Sequence, residues 1–177
     1  MNICLISQNA SPGLTIFRKD FIRYLIDQGH QVYAFAIDYT VVSREIVSEF
    51  GAIPMDYSLN KSGLNIFADL NDTWLLSKQL KKIQPDIVFS FFIKPSVYGT
   101  LAAKLAKVPR RIAMLEGAGY MYTPSKNKLS FKKIILQYAH GLLISMGYAF
   151  ADKVLFLNPD DPVDLTKKSF INSKKFK

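Results

Sequence analysis

The sequence predicts a parallel α/β domain, a sheet of about six strands with helices packed on both faces. Three observations predict it. Short β-type runs alternate with longer amphipathic stretches, and Gly29, Gly51 and Pro85 punctuate the junctions between them. One run, Asp86-Ile87-Val88-Phe89-Ser90-Phe91-Phe92, is apolar almost without alternation, as a central strand covered on both faces requires.

Taken in order, Asn2 to Ser7 reads as the first strand, followed by a polar loop from Gln8 to Thr15. The next stretch places Phe17, Phe21, Tyr24 and Leu25 on one helical face and Arg18, Lys19, Arg23 and Asp27 on the other. It stops at Gln28-Gly29, and Gln31 to Ile37 forms the second strand. Ser43 is expected to cap a short helix through Phe50. Ala52 to Tyr57 follows as a third strand, which Pro54 makes an edge strand or an imperfect one. A long helix from about Leu64 to Ile83 is expected to bury Phe67, Leu70, Trp74 and Leu80. After the apolar strand, a helix from about Ser96 to Ala106 leads to the fifth strand, Arg111 to Leu115. A glycine-bearing loop, an apolar helix from about Phe131 to Ala151 and a sixth strand at Lys153 to Leu157 complete a Rossmann-like, doubly wound sheet. Asn158-Pro159-Asp160-Asp161 reads as a further helix start, so residues 1–158 form the domain and 159–177 begin a linker or the next helix.

With 177 residues and 49% hydrophobic content, the chain fits one ordinary globular domain, which excludes disordered and fibrous classes. The lone Cys4 lies in an apolar run and has no partner for an internal disulfide. The opening MNICLISQ lacks the charged and small-residue regions of a signal peptide, so a reducing cytoplasm is expected. The 23 basic residues exceed the 14 acidic ones, for a net charge of +9. Between Lys104 and Lys133, eight bases accompany the single acid Glu116, and a second lysine cluster closes the chain. Such clusters attract phosphate-rich partners. No nucleic-acid-binding motif accompanies the charge, so nucleic acid is not expected as a partner.

In open parallel sheets ligands bind beyond the carboxyl ends of the strands, which directs attention to three loops. The loop after the first strand has one glycine and no dinucleotide fingerprint. Asn9, Ser11 and Gly13 are its substrate-binding candidates, with Arg18 within reach of an anion. The loop after the fourth strand offers Lys94 and Tyr98, with Ser96 as a cap. The loop after the fifth offers Glu116, Gly117, Gly119 and Tyr120. Here glycines admit a substrate to the backbone, a tyrosine stacks on a sugar ring, and the acid activates or positions a hydroxyl. A salt bridge from Glu116 to Arg110 or Arg111 is the alternative role for that acid. Neither His30 nor His140 lies in such a loop, and no Cys, His and acid set has metal-ligand spacing. Lys126, Lys128, Phe131, Lys132 and Lys133 precede the apolar helix and suit contact with anionic lipid headgroups. That helix itself is read as core or as membrane-facing.

The run Phe92-Ile93-Lys94-Pro95-Ser96-Val97-Tyr98-Gly99-Thr100, the segment Glu116-Gly117-Ala118-Gly119-Tyr120 and the closing Ala151-Asp152-Lys153-Val154-Leu155-Phe156-Leu157-Asn158-Pro159 resemble family 4 glycosyltransferases. The opening Phe17-Arg18-Lys19-Asp20-Phe21-Ile22 and Gly29-His30-Gln31-Val32 are similar as well. The resemblance implies one half of a GT-B fold, the N-terminal, acceptor-side domain. A C-terminal domain or subunit would hold the nucleotide sugar, which serves as co-substrate, with no metal and no bound cofactor. It also implies a lipid-linked saccharide acceptor in surface polysaccharide biosynthesis, at the cytoplasmic face of the plasma membrane. Glu116 is then the candidate catalytic residue, and this chain alone is expected to be inactive. The alternatives are a non-catalytic membrane-docking subunit of a split enzyme and, disfavoured by the missing phosphate fingerprint, a self-sufficient nucleotide-binding enzyme.

Overall fold

A computed structural model describes residues 1–60, 65–116 and 141–167, the last four as backbone only. Six strands, β1 (Asn2–Ile6), β2 (Gln31–Ala36), β3 (Ile53–Asp56), β4 (Ile87–Phe91), β5 (Arg110–Leu115) and β6 (Lys153–Phe156), form one sheet in the order β3-β2-β1-β4-β5-β6. Every pairing is parallel, as the strand-helix alternation predicts. Pro54 lies on an edge strand, where its missing N–H costs no ladder bond.

Alternation along the strands divides the core in two. On one face Ile3, Leu5, Val32, Ala34 and Ala36 pack with α1 (Lys19–Asp27) and α2 (Val41–Glu49) through Ile22, Leu25 and Val47. On the other, Cys4, Ile6, Phe35 and Val88 pack with α3 (Ile66–Ile83), α4 (Ile93–Leu105) and the helix α5 at residues 141–149. Helix α4 is buried from Pro95 to Thr100 because it lies between the sheet, α3 and α5. The α5 contact is close. A Cβ on Gly147 would stand 2.6 Å from the Val97 Cα, so only glycine fits there. Among the described residues no helix is long and apolar enough to cross a membrane.

Four local expectations need correction. Thr40, not Ser43, caps α2. Ser43 is the third helical residue, and the two side chains exchange the reciprocal bonds of a capping box. Helix α4 begins at Ile93, earlier than Ser96, because Pro95 falls in the first turn, where a missing N–H is harmless. The Ser96 hydroxyl therefore donates to the Ile93 carbonyl (2.8 Å) rather than accepting from a first-turn amide. In α1, Tyr24 is exposed, as is Phe17 just before the helix, and Ile22 and Leu25 form the buried stripe.

The largest correction concerns α3. Phe67, Leu70 and Trp74 face solvent at 87%, 46% and 51% exposure, and of the expected stripe only Leu80 is buried. The inner face carries Asp69, Thr73, Leu76, Ser77 and Leu80. Its polar groups are satisfied at short range. Thr73 donates to the Asp69 carbonyl (2.6 Å), Ser77 donates to that of Trp74 (2.7 Å), and the Asp69 carboxylate receives two hydrogen bonds from Lys94.

Candidate functional site

The sheet order reverses between β1 and β4, the switch point at which open α/β sheets bind ligands. A cavity of about 290 Å³ opens there. Gln8 after β1, Phe92 and Ile93 after β4, and Glu116 after β5 line it. Its size is near the lower end of small-molecule sites, roughly 300 Å³.

The β1 loop is fixed from three directions. Tyr57 donates its hydroxyl to the Ser7 carbonyl (3.0 Å), Asp38 accepts from the Ala10 amide (2.7 Å), and the Ser7 hydroxyl donates to the Asn9 carbonyl (2.9 Å). Gly13 is buried against this loop, where a Cβ would meet the Ser7 Oγ at 2.6 Å. A side chain at this position would require the Ser7 hydroxyl to turn away from the Asn9 carbonyl. Asn9 is half-buried, its Oδ1 has no partner among the described residues, and Ser11 is exposed.

At the β4 end the chain turns sharply into α4 through Phe92, with φ 68° and ψ 167°. This is a region favoured by glycine, and holding a phenylalanine there costs about 1–3 kcal/mol. The surrounding structure maintains this strain at the wall of the cavity. Lys94, one turn further, is committed. Its ammonium donates to both Asp69 oxygens (3.0 and 2.8 Å) and to the Asn60 carbonyl (3.0 Å), and its side chain is only 12% exposed. Tyr98 is buried beside this pair, and burial together with the Asp69 charge raises its pKa well above the ordinary value. The geometry thus places Lys94 and Tyr98 in the packing between α3 and α4, behind the cavity wall.

Arg18 and Glu116 are brought together. The guanidinium forms an ion pair with the Glu116 carboxylate, lies over the Phe91 ring (4.4 Å) and donates to the Phe17 carbonyl (3.1 Å). Partial burial lowers the Arg18 pKa. The alternative partner arginines are not used. Arg111 pairs with Asp152 (2.7 Å) and donates to the Phe150 and Val108 carbonyls, and Arg110 is exposed. A guanidinium and a carboxylate side by side at a cavity mouth offer donors for phosphate oxygens and an acceptor for a sugar hydroxyl.

Gly117, Gly119, Tyr120, Lys126, Lys128, Phe131, Lys132, Lys133 and His140 lie outside the described residues. Sequence reasoning passed over Gln8, Phe92 and Ile93 as site residues and missed Asp69, Asp38 and Tyr57 as supports. Position at a strand's carboxyl end was the available signal for the first three.

Comparison with known proteins places this geometry in context. The model of a glycosyl transferase 4-like family matches residues 2–158. The chain is 28% identical to an N,N'-diacetylbacillosaminyl-diphospho-undecaprenol alpha-1,3-N-acetylgalactosaminyltransferase of Campylobacter jejuni, over 95% of this chain and 46% of that protein. Among solved structures it is similar to Anabaena HepE in complex with UDP and glucose. The TM-score is 0.64 at 12% identity, over 100% of this chain and 43% of that one. It is also similar to a UDP-N-acetylglucosamine 2-epimerase, with TM-score 0.61 and 16% identity over 98% of this chain and 44% of that one. At such identities these two likenesses show the fold alone. The chain spans about half the length of the relatives it matches.

Proposed function

The chain belongs to the glycosyl transferase 4-like family, and from that membership we propose that it forms the acceptor-side half of a glycosyltransferase. The complete enzyme moves a sugar from a nucleotide sugar to a lipid-diphosphate-linked saccharide in surface polysaccharide biosynthesis. The observation that carries this reading is the cavity at the switch point, with the Arg18–Glu116 pair at its edge. Arg18 contacts a phosphate or sugar oxygen, and Glu116 positions or activates the acceptor hydroxyl. Gln8, Asn9 and Ser11 complete the acceptor surface together with Gly117, Gly119 and Tyr120. The name of the Campylobacter relative, which has a diphospho-undecaprenol acceptor, supports the lipid-linked class.

The donor is held by a second domain or subunit, in keeping with the half-length match. Without it the reaction lacks the orientation and charge stabilisation that dominate such chemistry, and this chain is inactive alone. Residues 1–158 make up the domain. Lys126, Lys128, Phe131, Lys132 and Lys133 approach an anionic membrane at its cytoplasmic face.

Calorimetric titration tests the assignment. A water-soluble short-chain polyprenyl diphosphate N-acetylhexosamine should bind this chain and UDP should not. Arg18→Ala should weaken the acceptor analogue about tenfold, the loss of about 1.4 kcal/mol. UDP binding with a silent acceptor analogue would reverse the assignment to the donor side.

A further inference from the structure

Helix α3 is inverted in polarity. It turns Asp69, Thr73 and Ser77 inward and exposes Ile66, Phe67, Leu70, Trp74 and Leu75. The inversion is fixed by the Asp69–Lys94 pair, because that carboxylate is fully buried and rotating the helix would strand it. Phe67, Leu70, Trp74, Lys78 and Lys81 follow one another at spacings of three and four, so they form a single stripe along the solvent side. The half nearer the sheet's ligand-binding end is apolar and aromatic, and the far half is basic, with Lys82 beside it. Lys78 places its ammonium 3.4 Å from the centre of the Trp74 ring. The two acids of α3 do not oppose these charges, since Asp69 is paired inside and Asp72 is half-buried.

We propose that this stripe of α3 lies on an anionic lipid surface. Phe67, Leu70 and Trp74 enter the interface, and Lys78, Lys81 and Lys82 meet headgroup phosphates. Exposed aromatic and aliphatic side chains beside lysines match an apolar boundary under a negative surface, and the exposed Asp86 near Lys81 already accepts a hydrogen bond from the Asn2 amide. The placement fits a lipid-linked acceptor, and in that respect it rests on the function proposed above. Asp69, in the first turn of α3, is bonded to Lys94, whose neighbour Ile93 lines the cavity.

Trp74 is the only tryptophan, so its emission reports on this stripe without a label. Vesicles of phosphatidylcholine containing phosphatidylglycerol should shift that emission to the blue, and brominated lipid should quench it. Lys78→Gln, Lys81→Gln and Lys82→Gln together should lower the partition constant on the order of 100-fold. Lys19→Gln with Arg23→Gln on the opposite layer should leave it unchanged. Arg23, Lys78, Lys81 and Lys82 are exposed and Lys19 is half-buried, and circular dichroism checks that each variant keeps its fold. Vesicle binding in flotation with no change at Trp74 would overturn the placement on α3 while leaving membrane contact elsewhere intact. No binding at low salt would overturn it too, while acceptor-analogue titration would still report on the proposed function. An equal shift with phosphatidylcholine alone, or a shift that grows with protein concentration in the absence of lipid, would also overturn it.

Discussion

On one side of the sheet, α1 and α2 bury aliphatic side chains and present a mixed-charge surface, with Asp20, Asp27, Glu45 and Glu49 beside Arg23. On the other, α3 buries a carboxylate and two hydroxyls and presents phenylalanine, leucine and tryptophan. Both layers sit on strands of the same parallel sheet. An apolar stripe does not by itself define the face a helix buries. In α1 and α2 packing of apolar side chains decides the orientation. In α3 one ion pair, in which Lys94 donates two hydrogen bonds to Asp69, decides it, and the apolar stripe is left outside.

Breaking that pair is the strongest test of the comparison. Asp69→Ala leaves the Lys94 ammonium buried without its counterion, and we expect a loss of about 3–5 kcal/mol in urea unfolding. Combining Asp69→Leu with Lys94→Met should recover most of it, because a matched apolar pair carries no stranded charge. Next in size is Gly147→Ala, which forces α5 away from Val97 and should cost about 1–3 kcal/mol. In the opposite layer, Arg44 pairs with Asp56 in the open (2.7 Å), both side chains being substantially exposed. Asp56→Ala should therefore change stability by about 0–1 kcal/mol. The smallest effect belongs to the stripe itself. Phe67→Ser should stay within about 0.5 kcal/mol in the same unfolding measurement, since that side chain is almost free. A loss of several kcal/mol there would mean that α3 buries the face its sequence pattern suggests.

The sheet was legible because each strand carries its own signal. The unbroken apolar run of β4 marked the centre, Pro54 marked the edge, and Gly29 and Gly51 marked the helix stops. The candidate cavity lies at the loops after β1, β4 and β5, the carboxyl ends to which the sequence directs attention. What escaped were contacts made across sequence distance. Lys94 reads as a free cation near a strand end, and only the docking of α3 shows that Asp69 claims it. Glu116 has two arginines close in sequence, yet its partner is Arg18, delivered by the turn before α1. The strained Phe92 has no local signature either, because phenylalanine is an unfavourable residue for its φ and only the surrounding fold imposes it.

Cys4 gives a simple check on the core. Burial raises its thiol pKa to about 12, so it should resist alkylation at pH 8 in the native protein and react once unfolded.

In the proposed function the switch-point cavity receives the acceptor. Amide chemical-shift mapping with the short-chain polyprenyl diphosphate N-acetylhexosamine tests it most directly. The largest perturbations are expected at Gln8, Ile93 and Glu116, and in Arg18→Ala they should need about tenfold more ligand. Perturbations confined to the opposite end of the sheet, around Gln84 and Lys107, would contradict it.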